Sequence, residues 1–222
     1  MSSWDPVWEK IFSEREGWGR YPPEELVRFI AHSYYAAPER SQVKILEIGC
    51  GPGGGPSWFI AREGFDYYGV DGSVTAIVKA QQYFKSERLY GNFVEADLLN
   101  LPWTDNHFDC VVDVACLQCN SEVETSDILT EVRRVLKAGG RHFSMTVGSG
   151  SWGEGLGESI DSTTYIAVSD GPFSGMGKTR FADHGSLISL YSQFKKLELN
   201  CSDRTLENGS RNIRNWIVTC EK

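Results

Sequence analysis

Between Val43 and Val147, short apolar runs alternate with stretches whose apolar residues recur at helical spacing. The runs Lys44–Ile48, Tyr67–Val70, Asn92–Glu95, Cys110–Ala115 and Arg141–Val147 have the length of strands. The stretches Pro56–Glu63, Val74–Lys85 and Ser126–Leu136 read as helices, with Gly64 closing the first and Ala138-Gly139-Gly140 the last. Strands that alternate with helices imply a parallel sheet covered on both faces. Two further helices are predicted ahead of this core, over Pro6–Arg15 and Pro23–Tyr35, and Pro22 and Pro23 mark the start of the second. After the core, Asp183 can cap a helix that runs to Phe194. Lys196–Cys201 then alternates apolar and polar residues, Asn208-Gly209 is a hairpin signal, and Trp216–Cys220 is a last strand. Two strands joined so closely run antiparallel. The pattern predicts one α/β domain over residues 1–222: a doubly wound, seven-stranded mixed sheet, mostly parallel with an antiparallel C-terminal strand. Residues 1–40 form an N-terminal helical lid on this reading.

The segment 148–181 breaks the pattern. Its first 31 residues, Gly148–Lys178, hold eight of the chain's 23 glycines and show little periodicity. A long irregular insert in a compact domain is usually functional or disordered, and Trp152, Tyr165, Phe173 and Met176 argue against disorder. The expectation is a substrate-facing loop with a short hairpin around Tyr165–Val168.

Composition narrows the function. The net charge is −8 and the one basic cluster, Arg204–Arg214, holds three arginines, so nucleic acid is not expected as a partner. No apolar run approaches the ~20 residues of a membrane helix, and MSSWDPVWEK lacks the order of a signal peptide. A cytoplasmic protein, monomeric or homodimeric, is the expectation. Cys116 and Cys119 form a CxxC without a second pair or paired histidines, which favours buried thiols over a metal site.

The chemistry concentrates in Ile45–Asp71. Glu47 and Asp71 end two apolar runs, and Gly49-Cys-Gly-Pro-Gly-Gly-Gly55 lies between them. Strand, glycine turn, helix and strand, with an acid at each strand tip, bind a nucleoside-containing cofactor. The loop satisfies GxGxxG, which alone also permits a dinucleotide. The segment resembles motif I of the class I S-adenosylmethionine (SAM) methyltransferases, E/D-x-G-x-G-x-G, through Glu47, Gly49, Gly51 and Gly53. Asp71, Ala96-Asp97-Leu98, Phe108-Asp109 and Leu136-Lys-Ala-Gly-Gly140 follow in that family's order. The family's fold is Rossmann-like with an antiparallel C-terminal pair.

The resemblance implies the cofactor SAM and its contacts. Gly49, Cys50, Gly51 and Gly53 would lie along the methionine part, whose carboxylate would meet amides at the next helix N-terminus. Arg20 would pair with that carboxylate or be a plain surface residue; Trp18 and Tyr21 would close over the cofactor beside it. Glu47 would order the loop or receive the ammonium, as would the backbone near Val114. Asp71 would bind the ribose diol, or merely cap the following helix. Asp97, after Ala96, would bind the adenine amino group or serve as a turn residue, and Gly72 and Leu98 would pack on the ring. The acceptor wall is expected at Gln118, Cys119, Ser149, Trp152 and Tyr165. No catalytic base is assigned; His107, His142, His184 and Asp113 are candidates, each also readable as structural, and Asp109 reads as a turn residue. No Asn-Pro-Pro-Tyr-like segment follows the fourth strand, which disfavours DNA-base and amide acceptors. The expected activity is methyl transfer to a small molecule. The alternatives are a nicotinamide-dependent oxidoreductase, for which Tyr83 to Lys85 and Tyr191 to Lys195 have the wrong spacing, and a non-catalytic SAM-binding subunit.

Overall fold

The computed structural model describes residues 4–16 and 19–222. A seven-stranded sheet runs through it in the order β3-β2-β1-β4-β5-β10-β9. Its strands are β1 (Lys44–Ile48), β2 (Asp66–Asp71), β3 (Asn92–Glu95), β4 (Phe108–Val114), β5 (Leu136–Val147), β9 (Lys195–Leu206) and β10 (Arg211–Glu221). Six strands point one way, and β10 alone runs antiparallel to its neighbours β5 and β9. This is the predicted doubly wound architecture.

Helices α2 (Glu24–Tyr34), α3 (Gly55–Arg62) and α4 (Val74–Glu87) cover one face, burying Leu26, Ile30, Phe59, Ile60 and Phe84 against β1, β2 and β4. On the other face, α5 (Glu122–Val135) and α6 (His184–Leu190) bury Ile128, Leu129, Val132, Leu187 and Leu190. Both faces of the central strands are dry, which is why these strands read as continuous apolar runs rather than alternating ones.

Some element bounds differ from the sequence reading. The fifth helix starts four residues before the predicted Ser126, because Ser121 and Glu124 form a reciprocal capping box there. It ends at Val135, and residues 136–140 already run as strand, so the glycine pair lies inside β5 rather than terminating the helix. The C-terminal hairpin is longer than predicted on both arms, which pair from Lys195–Leu206 to Arg211–Glu221.

The insert is ordered. Its β6 (Glu158–Ser159), β7 (Thr164–Ile166) and β8 (Thr179–Arg180) form a separate three-stranded antiparallel sheet. Val168 lies beyond these strands, so the expected hairpin pairs with an earlier segment. The N-terminal α1 (Val7–Glu14) packs on α4: Glu9 accepts from the Ser73 and Thr75 hydroxyls, and Lys79 donates to the carbonyls of Phe12 and Arg15.

The strand order reverses at β1, which pairs with β2 on one side and β4 on the other. In such sheets the crevice beyond the carboxyl ends of the strands at this switch point is the ligand site.

Candidate functional site

A cavity of about 350 Å³ opens at that point. It is lined by the ends of β1, β2 and β4, the loop after β3, the N-terminal helix and the insert. Thirteen sequence-predicted residues line it: Tyr21, Glu47, Gly49, Cys50, Gly51, Asp71, Gly72, Ala96, Asp97, Leu98, Val114, Gln118 and Cys119.

Glycine is required in the turn after β1. Gly49 has φ +62°, and a Cβ there would stand 2.2 Å from the Cys116 sulfur. Gly51 has φ +54° and donates its amide to Asp71 Oδ2 at 2.9 Å. Asp71 Oδ1 accepts from the Ser73 amide at 2.9 Å. The carboxylate therefore ties the glycine turn to the start of α4, while Ser73 itself caps that helix through the Ala76 amide. Asp71 is buried, and burial pushes its carboxyl up to about 6 against these bonds. Two accepted bonds leave an ionised carboxylate further lone pairs for a ligand.

Glu47 is buried as well, and its Oε2 accepts from the Ser57 and Tyr67 hydroxyls at 2.6 and 2.8 Å. Burial pushes its carboxyl up to about 8, aided by the nearby charges of Asp113 and Asp71. Asp97 accepts from the Leu99 amide at 3.0 Å, so it shapes its turn as well as the cavity wall. Gln118 is buried, and its Oε1 accepts from the Val147 amide at 2.9 Å. That bond fixes the orientation of the side-chain amide and leaves its NH₂ end as the donor at the cavity wall.

Five predicted residues lie off the lining. Arg20 pairs with Glu87 at 2.9 Å on the surface. Gly53 packs against Ala80, where a Cβ would come within 3.1 Å of the backbone. Ser149 bonds through its amide to the Ala182 carbonyl. Trp152 donates to Asp170 and lies under the Arg211 guanidinium. Tyr165 packs on Phe181 beside Val147, Val168 and Phe173. The insert thus spends Trp152 and Tyr165 on its own packing and offers Pro172, Phe173, Met176 and Thr179 to the cavity instead. Trp18 falls outside the described residues; Tyr21 lines the cavity.

The base candidates are occupied elsewhere. Asp113 accepts from the Cys116 and Leu117 amides and the Ser144 hydroxyl, capping the turn after β4. His142 is fully buried against Tyr191 and Phe194, and burial pushes its pKa down to about 4. His107 packs beside Tyr68 and Phe108, and His184 beside Trp216. Asp109 accepts from the Lys44 amide and pairs with Lys137. No histidine is among the described lining residues.

The sequence reading expected a lid from residues 1–40 but did not name the side chains of its first part that reach the cavity. Trp4, Asp5, Trp8 and Phe12 line the cavity, and the Trp4 ring lies against Gly72, within 2.3 Å of where a Cβ would stand. Segment 19–22 covers the start of α3: the Gly55 amide donates to the Gly19 carbonyl at 2.8 Å, and a Cβ on Gly55 would meet the Tyr21 backbone at 2.2 Å. The first amide of α3, expected to meet a ligand carboxylate, is therefore already bonded.

Residues 45–140 match a family model described as a methyltransferase domain. The chain is 33% identical over 122 residues to a fatty-acid O-methyltransferase of Mycolicibacterium smegmatis, a match covering 53% of this chain and 43% of that protein. It is 31% identical over 123 residues to a sterol 24-C-methyltransferase of Gibberella zeae, covering 53% of this chain and 32% of that protein. The chain thus spans less than half the length of these curated relatives. A crystal structure of a SAM-dependent methyltransferase from Methanosarcina mazei superposes with a TM-score of 0.72 at 22% identity, over 92% of this chain and 99% of that one. Residues 45–140 thus match a methyltransferase domain, and the chain shares its fold with the SAM-dependent methyltransferase of known structure.

Proposed function

We propose that this protein transfers a methyl group from SAM to a small-molecule acceptor. One observation carries the reading. The buried Asp71 carboxylate and the glycine turn it holds stand at the switch-point cavity, while the start of α3 is closed by backbone. A dinucleotide needs that helix start free for its pyrophosphate. A diphosphate is also helped by a cation beside it, and this end of the described lining holds three acids, Glu47, Asp71 and Asp97, with no lysine or arginine. These residues fit a cation-bearing nucleoside and disfavour a diphosphate.

In this reading Asp71 accepts from the ribose hydroxyls, and Asp97, Ala96, Leu98 and Trp4 surround the base. Glu47 and the backbone at Val114 and Ala115 receive the ammonium. Gly49 and Gly51 keep the backbone close to the methionine part, with Cys50 beside them. Gly53 acts at second hand, by letting the turn pack on α4. When bound, SAM supplies a methyl group already activated by its positive sulfur. The residues of this chain then have to orient the acceptor in line and keep water out. Phe12, Trp8, Phe173 and Met176 supply an apolar wall for both tasks. Gln118 and Cys119 lie at the acceptor end, and residues 4–16 with 172–179 form the lid. Apolar walls agree with the hydrocarbon part of the acceptors in the relatives' names. Six free thiols among the described residues support a reducing, cytosolic setting, and no described helix is long and apolar enough to cross a membrane.

Calorimetric titration with S-adenosylhomocysteine tests the cofactor assignment, with NADH as the control. Micromolar binding of the first and none of the second is expected. Binding of NADH alone would reject the reading. Release of S-adenosylhomocysteine that depends on an added metabolite fraction separates an enzyme from a non-catalytic subunit.

A further inference from the structure

The acceptor end of the cavity carries a charge signature of its own. Of the four lining acids, three are engaged where the cofactor is placed: Asp71 holds two amides, Glu47 two hydroxyls and Asp97 the Leu99 amide. Asp5 stands apart. It sits just before α1, where its Oδ1 accepts from the Val7 amide at 3.0 Å. Its Oδ2 lies against Gly177 of the insert, 2.7 Å from where a Cβ would stand, and Val7 fills the same space. Gly177 has φ +74°, so the insert reaches this carboxylate only through a glycine.

Aromatic and thioether side chains share the wall with this carboxylate: Trp8, Phe173 and Met176. Cys119 lies within range of the Asp5 charge. Burial pushes its thiol up, and the Asp113 and Asp5 charges add to the effect.

Ring faces attract cations, and a carboxylate beside them adds an ion pair that strengthens as water is excluded. The wall holds no lysine, arginine or histidine among its described residues, and Lys178, whose charge reaches Cys119, is neutralised by its pair with Glu124, so a carboxylate or phosphate finds no free cation here. We propose that Asp5 selects the methyl acceptor, and that the acceptor is a small amine, bound as its ammonium with an apolar flank against the aromatic wall. This inference rests on the methyl-transfer reading above. It sets the chain apart from the fatty-acid O-methyltransferase it resembles, whose named substrate is an acid.

The test uses the full chain saturated with S-adenosylhomocysteine and three probes on one skeleton: phenylethylamine, phenylethanol and phenylacetate. Binding is read by calorimetry. The amine should bind about tenfold more tightly than the alcohol, and phenylacetate should not bind at millimolar concentration. Asp5→Asn keeps an oxygen for the Val7 amide and should reduce the amine to the affinity of the alcohol, with S-adenosylhomocysteine affinity unchanged. Equal binding of the three probes, no binding of any, or an amine preference that survives in Asp5→Asn would overturn the proposal while leaving methyl transfer standing. Failure of the first titration, with S-adenosylhomocysteine alone, would take down both.

Discussion

Asp71→Asn separates ligand recognition from folding. In the native protein each carboxylate oxygen accepts one backbone amide, from Ser73 and from Gly51, both at 2.9 Å. Asparagine keeps one acceptor and turns an NH₂ group toward the other amide. That change leaves a buried donor orphaned at a cost of about 1–3 kcal/mol. A second effect opposes it. Burial pushes the Asp71 carboxyl to about 6 from an ordinary 3.8, so holding the charge at pH 7 costs about 3 kcal/mol. Removing the charge offsets the lost bond, and stability should change by no more than about 2 kcal/mol. Ligand binding has no such offset. Two ribose hydroxyls would lose a charged acceptor, which weakens S-adenosylhomocysteine by about 1–3 kcal/mol, or roughly 10- to 100-fold. Calorimetric titration gives the affinity and urea unfolding gives the stability. An affinity within twofold of wild type, in a protein that still unfolds cooperatively, would refute the ribose assignment.

Three further outcomes follow from buried groups. Glu47 has a folded pKa raised to about 8, so its stabilising contribution is complete below its unfolded pKa and fades as pH rises through the folded one. The unliganded protein should lose about 2 kcal/mol between pH 6 and 8 through this group; Glu47→Gln should flatten that slope, and a slope unchanged in the variant would contradict the buried-acid assignment. Gly49→Ala adds a Cβ 2.2 Å from the Cys116 sulfur at a positive φ and should cost about 2–5 kcal/mol. A loss under about 1 kcal/mol in denaturant unfolding would mean the turn relaxes freely. Arg180 is 1% exposed, and its Nε and Nη1 meet no partner among the described residues. The buried Asp113 carboxylate feels this charge, so Arg180→Met should destabilise by up to about 3 kcal/mol, and a variant as stable as wild type in the same measurement would mean that the two groups do not interact.

The cofactor end of the cavity was legible because its signals are local. Glu47, Gly49, Gly51 and Asp71 lie within one strand–turn–helix–strand unit, where spacing along the chain determines position in space. The acceptor end was only partly legible. Gln118 and Cys119 follow β4 directly and reach the cavity, whereas Trp152 and Tyr165 sit in an insert without periodicity, so their direction depended on what they pack against. The reading took the aromatics of the insert as a sign of order and set Trp152 and Tyr165 in the acceptor wall. The insert instead uses Trp152 on Asp170 and Arg211, and Tyr165 on Phe181.

Taken alone, the sequence determined the sheet, its antiparallel end and the acids at the strand tips, because hydrophobic period and glycine placement act over a few residues. The sequence placed a lid in residues 1–40, and only the tertiary structure decided which of its side chains reach the cavity. The apolar stripe of α1 says that one face is buried but not against which neighbour. It is the docking of α1 on α4, through Glu9 and Lys79, that brings Trp4 to Gly72 and Asp5 to Gly177. Those contacts join segments far apart in the chain, and nothing in the local spacing of either segment encodes them.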